Sequence, residues 1–325
     1  MKATFDQFNK MNILIIGDVM IDAYLWGKVD RISPEAPVPI VTVGKKEKRM
    51  GGAANVALNI HALGANPILC SIIGEDVSGD DFIELLQQEG ITAEGILTAK
   101  NRPTTVKTRI IGHHQQILRI DEESDKAISA IETTQLFTKV QQIVATQKID
   151  AIIFEDYDKG VITPTLIKAV VTLAQEHKIP TIVDPKKRNF NDYKGVTLFK
   201  PNLKELKEGL KLEIDSSIAS IGKAVAQLRS QLQAEMVMVT LSELGVYIDS
   251  GKAQHHVSAH IRDITDVSGA GDTVVSVATA GLAAGLAPER FAALANLAGG
   301  LVCEKIGVVP VDKEQLLQEA VAHNV

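Results

Sequence analysis

The sequence predicts an α/β fold with a mostly parallel, doubly wound sheet. One observation is the apolar run at 12–17, Asn-Ile-Leu-Ile-Ile-Gly, which is typical of a strand buried on both faces. Another is that such runs alternate with segments whose apolar residues recur at helical spacing. The third is the length of 325 residues, which suits one α/β domain with a small appendage better than two large domains.

The predicted elements alternate along most of the chain, which places helices on both faces of the sheet. Strands are expected at 12–17, 67–74, 151–154, 181–184, 196–199 and 236–240. Helices are expected around Phe82, Leu85 and Leu86, and at 53–63, 164–177, 203–210, 216–232, 270–285 and 288–303. Tyr247 and His255 are expected in a hairpin that turns at 249–251.

Two stretches, about 20–48 and 104–121, interrupt this alternation. The first contains three prolines followed by Ile40, Val41 and Val43, and the second contains two segments of alternating polarity. We expect both to supply strands of one small sheet, which belongs to the single domain 1–325 and covers the carboxyl ends of the main strands. Apolar residues on one face of such a sheet would be exposed in a monomer. The sequence therefore also predicts a homodimer that packs through this sheet.

Composition restricts the class of partner and the compartment. The net charge of −6 and the aromatic content of 4% argue against binding to nucleic acid. No apolar run reaches the roughly 18 residues of a membrane helix, and the first ten residues lack the apolar core of a signal peptide. Cys70 and Cys303 lie in apolar segments and are interpreted as buried thiols, which suits a cytoplasmic protein.

The segment with the strongest chemical signal is 269–272, Gly-Ala-Gly-Asp, at the start of a predicted helix. Backbone N–H groups at a helix N-terminus, together with the helix dipole, favour an anion such as a phosphoryl group in transfer. Asp272 beside them is placed to accept a proton from an attacking hydroxyl. The alternative is a glycine turn with Asp272 as a helix cap. The chain has no Walker-type phosphate-binding loop.

Two earlier segments carry candidate sugar-binding groups. Gly51 and Gly52 permit close approach of the backbone to a ligand, and Asn55 offers both a donor and an acceptor to a hydroxyl. Asp18 and Asp22 follow the first strand, where carboxylates lie in the ligand crevice of a parallel sheet. For Gly51, Gly52 and Asn55 the alternative is a turn that starts a helix, and for Asp18 and Asp22 it is a solvated loop.

Acidic and basic candidates for phosphate and metal follow later strands. Asn202 and Glu205 are three residues apart and would hold water around Mg²⁺, although the same pair also fits a capping box. Lys107, Arg109 and Arg119 lie on the predicted strands of the small sheet, and each is either a phosphate ligand or a solvated charge. The basic residues after the strand at 181–184 are further candidates for a substrate phosphate, namely Lys186, Lys187 and Arg188.

These segments, in this order and across most of the chain, resemble the ribokinase-like (phosphofructokinase B) carbohydrate kinases. The resemblance implies a three-layer sandwich with a small β lid, use of ATP and Mg²⁺, and carbonyl groups around Asp266 that could host K⁺. It implies Asp272 as catalytic base and an anion hole formed by Gly269, Ala270 and Gly271. It also implies a nucleotide side with four candidate residues, Thr240, Ser242, Gly245 and Asn296.

Within that family, segments 31–39, 115–121, 156–160 and 184–186 resemble kinases of D-glycero-β-D-manno-heptose 7-phosphate. The resemblance implies transfer of phosphate from ATP to O1, on the route to ADP-heptose for lipopolysaccharide, and adds Asp156 and Lys186 to the candidate substrate ligands. His113 and His114 depart from the more basic stretch expected there. The alternatives are another sugar or sugar-phosphate kinase of this fold and a non-catalytic sensor of sugars or nucleotides.

Overall fold

The computed structural model describes residues 1–112, 115–260 and 262–325. Its strands within those ranges are β1 Asn12–Gly17, β2 Val19–Ile32, β3 Pro39–Gly52, β4 Asn66–Gly74, β5 Ile96–Ala99, β6 Val106–Gly112, β7 Gln115–Glu122, β8 Ala151–Glu155, β9 Thr181–Asp184, β10 Leu198–Phe199, β11 Met236–Thr240, β12 Val246–Asp249 and β13 Gln254–Val257. Its helices are α1 Lys2–Phe8, α2 Ala53–Ala62, α3 Val77–Gln88, α4 Ala130–Thr146, α5 Pro164–His177, α6 Leu203–Leu210, α7 Ile218–Leu232, α8 Ala270–Ala283, α9 Pro288–Cys303 and α10 Lys313–Ala322.

The main sheet has nine strands in the order β13-β12-β11-β10-β9-β8-β1-β4-β5. The pairs from β5 to β11 are parallel, and only β12 and β13 at one edge are antiparallel. The chain leaves β1 towards β4 and β5 and later returns to place β8 on the other side of β1. Such a switch point opens a crevice at the carboxyl ends of the strands, which is where open α/β sheets bind ligands.

Two apolar clusters lie on opposite faces of the main sheet. Alternate residues of β1 enter different clusters, Ile13 and Ile15 on one face and Leu14 and Ile16 on the other, because side chains of a strand alternate between faces. The first cluster includes buried residues of α2, α8 and α9, and the second includes those of α4, α5 and α7. This confirms the predicted α/β sandwich of two helical layers around a mostly parallel sheet.

The two interrupting stretches form a separate four-stranded sheet in the order β3-β2-β6-β7, here called the small sheet. The β2 strand begins one residue after β1, and β3 leads directly into α2 at Gly52. Gly52 has a φ of 60°, and a Cβ there would lie 2.4 Å from the carbonyl oxygen of Asp18, so only glycine fits this junction. His113 and His114 lie outside the described residues.

Several elements were not predicted from the sequence, namely α1, α4, α10 and β5. The β10 strand is shorter than expected and includes only Leu198 and Phe199 of the predicted 196–199. Both cysteines are buried and unpaired, as expected. In the part of the chain that the structure describes, none of the helices has the length and apolar character needed to cross a membrane.

Candidate active site

The N-terminus of α8 lies at the switch point of the main sheet and separates two cavities. The smaller cavity, of about 340 Å³, faces the small sheet and is lined by Gly269 and Asp272 on the α8 side. The larger cavity, of about 570 Å³, lies on the other side of the same turn, where Ala270 and Gly271 line it. A group bound in one cavity therefore meets a group bound in the other at the first turn of this helix.

Asp272 is buried at this turn with both carboxylate oxygens engaged. Its Oδ2 accepts a hydrogen bond from Asn55 Nδ2 at 2.7 Å, and its Oδ1 accepts one from the Tyr157 hydroxyl at 2.8 Å. Burial raises the pKa of Asp272 from 3.8 to about 6, despite these two donors. A carboxylate with that pKa is ionised at neutral pH and still basic enough to accept a proton.

Backbone N–H groups at the start of α8 point towards this region. Gly269 has a φ of 78°, which lets the chain enter the helix, and the N–H of Thr273 donates to its carbonyl at 3.0 Å. The N–H of Ala270 donates to Val267 O at 3.3 Å, and the anion hole of Gly269, Ala270 and Gly271 stays a prediction. The N–H groups of Gly271 and Asp272 belong to the first turn of α8, where a helix has no intrahelical acceptors for its N–H groups and favours an anion.

A cluster of three carboxylates lies beneath this turn. One oxygen each from Glu155, Asp184 and Asp272 lie within 4.8 Å of one another, and all three residues are buried. Burial, and then the charges of Asp184 and Asp272, raises the pKa of Glu155 well above its ordinary value, and its Oε2 has no partner among the described residues. The buried Lys200 Nζ offsets part of this charge, 2.9 Å from Asp184.

Asn202 and Glu205 form the capping box that was the alternative interpretation. Asn202 Oδ1 accepts from the Glu205 N–H at 2.9 Å, and Glu205 Oε2 accepts from the Asn202 N–H at 2.8 Å. The other Glu205 oxygen contacts Lys186 Nζ at 3.0 Å, and that ammonium lies 5.3 Å from the centre of the Tyr157 ring. The cap and a role in holding water around a metal are compatible, because each carboxylate oxygen has a second lone pair.

The smaller cavity gathers most of the predicted substrate ligands. Its walls include Asp22, Gly51, Gly52, Asn55, Lys107, Arg109 and Arg119. The Oδ1 atom of Asn55 is buried and has no partner among the described residues, so it is free to accept a hydrogen bond from a ligand hydroxyl.

Two predicted substrate ligands, Asp18 and Asp156, make hydrogen bonds within the protein and line neither cavity. The Asp18 carboxylate accepts backbone N–H groups of Tyr157 at 2.9 Å, Lys159 at 3.1 Å and Val161 at 2.9 Å, so it holds the loop after β8. Asp156 accepts from Asn189 at 3.0 Å and from the Tyr193 hydroxyl at 2.8 Å. Both are 1% exposed, and neither lines either cavity.

The basic residues after β9 also lie apart from the smaller cavity. Lys186 is paired with Glu205, and Arg188 donates to the carbonyl of Asp125 at 2.6 Å. Lys187 is exposed. Lys186 therefore belongs to the region of Asn202 and Glu205 rather than to the wall that carries the other predicted substrate ligands.

The larger cavity contains the predicted nucleotide side. Thr240, Ser242, Gly245 and Asn296 line it, and most of its remaining wall is apolar. Asn296 Nδ2 donates to the carbonyl of Ser258 at 2.9 Å, which ties α9 to the segment after β13. A largely apolar pocket with a few convergent polar groups suits a flat heteroaromatic ligand.

The pfkB carbohydrate kinase family model matches residues 10–314. The chain belongs to this family. It is 41% identical over 307 residues to the bifunctional protein HldE of Methylobacillus flagellatus, covering 94% of this chain and 62% of that protein. It is 39% identical to HldE of Helicobacter pylori strain G27, and the match covers 94% of this chain and 65% of that protein. The kinase thus spans a little under two thirds of the length of these curated relatives.

Solved structures of low identity share the fold. Escherichia coli phosphofructokinase-2 in complex with potassium gives a TM-score of 0.78 at 18% identity, covering 97% of this chain and 99% of that one. Arabidopsis thaliana ribokinase complexed with ribose and ATP gives a TM-score of 0.73 at 17% identity, covering 95% of this chain and 98% of that one. These likenesses confirm the ribokinase-like fold predicted for this kinase.

Sequence reasoning missed four groups of this site: the Tyr157 hydroxyl, Lys159, Lys200 and Glu155. A signal for Glu155 was present, because it ends an apolar strand in the same way that Asp184 does. Acidic residues at the carboxyl ends of adjacent parallel strands meet at one edge of the sheet. Lys200 also follows a strand, but nothing in its local sequence identifies Asp184 as its partner.

Proposed function

We propose that this kinase transfers the γ-phosphoryl group of ATP to O1 of D-glycero-β-D-manno-heptose 7-phosphate, giving the 1,7-bisphosphate in ADP-heptose synthesis. One observation carries the proposal: a buried carboxylate, Asp272, shares a cavity of about 340 Å³ with Lys107, Arg109 and Arg119. A base beside several cations suits an acceptor that already carries a phosphate. The resemblance of segments 31–39 and 156–160 to heptose 7-phosphate kinases favours this sugar.

In the proposed reaction the sugar occupies the smaller cavity and ATP the larger one. Asp272 accepts the proton of the attacking hydroxyl while Asn55 and Tyr157 hold its two oxygens in place. The N–H groups of Gly271 and Asp272 stabilise the charge that develops on the transferred group. The small sheet, whose residues line the sugar cavity, limits access of water and so limits hydrolysis of ATP.

The carboxylates fit a Mg²⁺ ion. Mg²⁺ is bound in proteins by oxygen atoms, commonly one or two carboxylates together with water and substrate phosphates. Glu155 and Asp184 would hold it, with Asn202 and Glu205 acting through water, and the unpartnered Glu155 Oε2 supports this assignment. When bound, the ion neutralises charge on the phosphates. A K⁺ ion near Asp266 remains part of the proposal on family resemblance alone.

The test is ATP consumption by the purified kinase against a panel of sugar phosphates that includes heptose 7-phosphate and fructose 6-phosphate, with Asp272→Asn as the control. The expected result is a kcat/KM for heptose 7-phosphate at least tenfold above the other sugars. A preference for another sugar phosphate would assign a different kinase of this fold. ATP and sugar binding without turnover would indicate a sensor.

We also propose a homodimer through the small sheet and a cytoplasmic location. Ile32, Val43, Leu118 and Ile120 of this sheet are exposed, whereas the predicted contacts Ile40 and Val41 are half-buried. Exposed apolar residues on a sheet favour burial against a partner. Two unpaired buried cysteines are compatible with a reducing compartment.

Light scattering at micromolar concentration should give twice the mass of the chain. The Leu118→Lys variant should be monomeric, because a lysine replaces an apolar side chain that is 52% exposed. A control is Val77→Lys, at a residue that is 77% exposed outside the small sheet. A wild-type monomer, or a dimer that survives in Leu118→Lys, contradicts this interface.

A further inference from the structure

A lysine outside the small sheet completes a cluster of cations in the sugar cavity. Lys159, in the loop after β8, lines this cavity together with Lys107 of β6 and Arg119 of β7. Its Nζ lies 2.6 Å from Glu123 Oε1, and Lys107 Nζ lies 3.1 Å from Glu123 Oε2. One carboxylate thus holds together an ammonium group of the small sheet and one of the loop after β8.

The carboxylates of this cluster lie behind the cations. Glu123 and Asp121 pair with the lysines and with Arg119, but neither lines the cavity, whereas all three cations do. Among these residues, three cations face two carboxylates, which leaves one net positive charge directed towards the cavity. The side chains of Lys107 and Lys159 are only 15% and 18% exposed, so solvent screens their charge less than it would at an open surface.

Arg109 is engaged in a different set of contacts. Its guanidinium pairs with Asp22 and lies 5.4 Å from the centre of the Tyr24 ring. Asp22 also lines the cavity and offers oxygens to sugar hydroxyls. Arg109 is therefore placed to orient Asp22, and its charge is balanced by a carboxylate that itself lines the cavity.

The backbone of Lys159 is held by Asp18, the residue that follows β1 of the main sheet. Its N–H donates to the buried carboxylate of Asp18 at 3.1 Å, next to similar bonds from Tyr157 and Val161. The ammonium group thus projects from a rigid loop, and little conformational entropy is lost when a ligand binds to it.

We propose that Lys159, with Lys107 and Arg119, binds the phosphate that the sugar already carries, and that Lys159 determines the preference for phosphorylated sugars. This inference rests on the proposed function, because it concerns the same acceptor site. The inference deepens the proposed function in two ways. It assigns the phosphate monoester to the cations held by Glu123 and Asp121, and it assigns Arg109, through Asp22, to the sugar hydroxyls.

The experiment is calorimetric titration without nucleotide, using heptose 7-phosphate and the same heptose without phosphate. The Lys159→Met variant keeps most of the apolar stem and removes the charge. Its affinity for the phosphorylated sugar should fall about 10- to 100-fold, as expected for a charge-assisted hydrogen bond, while its affinity for the neutral sugar changes less than about twofold. Arg109→Met should weaken both sugars to a similar extent.

The matched control is Lys48→Met, which removes a lysine that pairs with Asp81 outside the cavity. It should change neither affinity. Equal losses for both sugars in Lys159→Met, or no loss, would overturn the proposal, as would a wild-type protein that binds both sugars equally. If the turnover panel selects another sugar phosphate, the same titrations use that compound and its dephosphorylated form. The assignment of heptose as the substrate can then be rejected while the role of Lys159 is still tested.

Discussion

Replacing Asp272 by asparagine should remove most turnover and make the protein harder to unfold. The variant amide can present its oxygen to Asn55 Nδ2 and its NH₂ group to Tyr157, since the tyrosine hydroxyl can rotate from donor to acceptor. The buried hydrogen bonds therefore survive, and ATP binding in the larger cavity should persist. The loss of the proton acceptor should lower kcat roughly 10²–10⁴-fold.

The gain in stability follows from the raised pKa of Asp272. Burial moves this pKa from 3.8 to about 6, so the folded protein binds the proton more tightly than the unfolded chain does. Because a tenfold difference in proton affinity corresponds to about 1.4 kcal/mol, ionisation of Asp272 costs the folded state about 3 kcal/mol. The cost is complete above about pH 6 and absent below about pH 3.8. Asparagine has no such cost at any pH.

Urea unfolding in buffer without divalent cations measures the effect at two pH values. The variant should exceed wild type by up to about 3 kcal/mol at pH 8 and by about half of that at pH 5. A gain of equal size at both values would refute the reasoning from burial of the carboxylate. Turnover close to that of wild type would remove Asp272 from its role as the base.

Two further variants test the groups around Asp272. Tyr157→Phe should lower kcat about tenfold with little change in the KM for ATP. The control is Tyr193→Phe, which also removes a hydroxyl that donates to a buried carboxylate. It should lower the melting temperature and leave kcat unchanged. An equal loss of kcat in both would contradict a positioning role for Tyr157. Glu155→Gln should raise the Mg²⁺ concentration needed for half-maximal turnover, and an unchanged titration curve would exclude Glu155 as a metal ligand.

Strands and helices with strong apolar patterns were predictable, but α4 was not. Its sequence contains four threonines and three glutamines, which mask the helical spacing of its buried residues. The capping box formed by Ser129 and Glu132 was the signal that could have located its start, because a serine followed three residues later by glutamate marks a helix N-terminus. The β5 strand has only four residues, too few for a clear pattern.

The place of a candidate site residue was predictable where its motif is local, and its partners were not predictable where they are distant in sequence. The turn at 269–272 indicates an anion site or a capped helix start, and both interpretations place it at the beginning of α8. The roles of Asp18 and Lys159 depend on contacts between them across 141 residues, which no local pattern encodes. Asp18 and Asp22 both follow β1, yet one holds a loop and the other lines the cavity, because Asp18 lies between β1 and β2 whereas Asp22 lies within β2, a strand of the small sheet.

The junction at Gly52 joins the small sheet to the first turn of α2 without a flexible segment. Asn55 lies in that turn and holds Asp272 across 217 residues of sequence. A displacement of the small sheet would therefore act, through Gly52 and α2, on the hydrogen-bond partner of Asp272, the base in the proposed mechanism. In the proposed mechanism, opening of the small sheet would therefore act on the hydrogen bond that orients the base, and the geometry needed for attack of water on ATP would be lost as water enters.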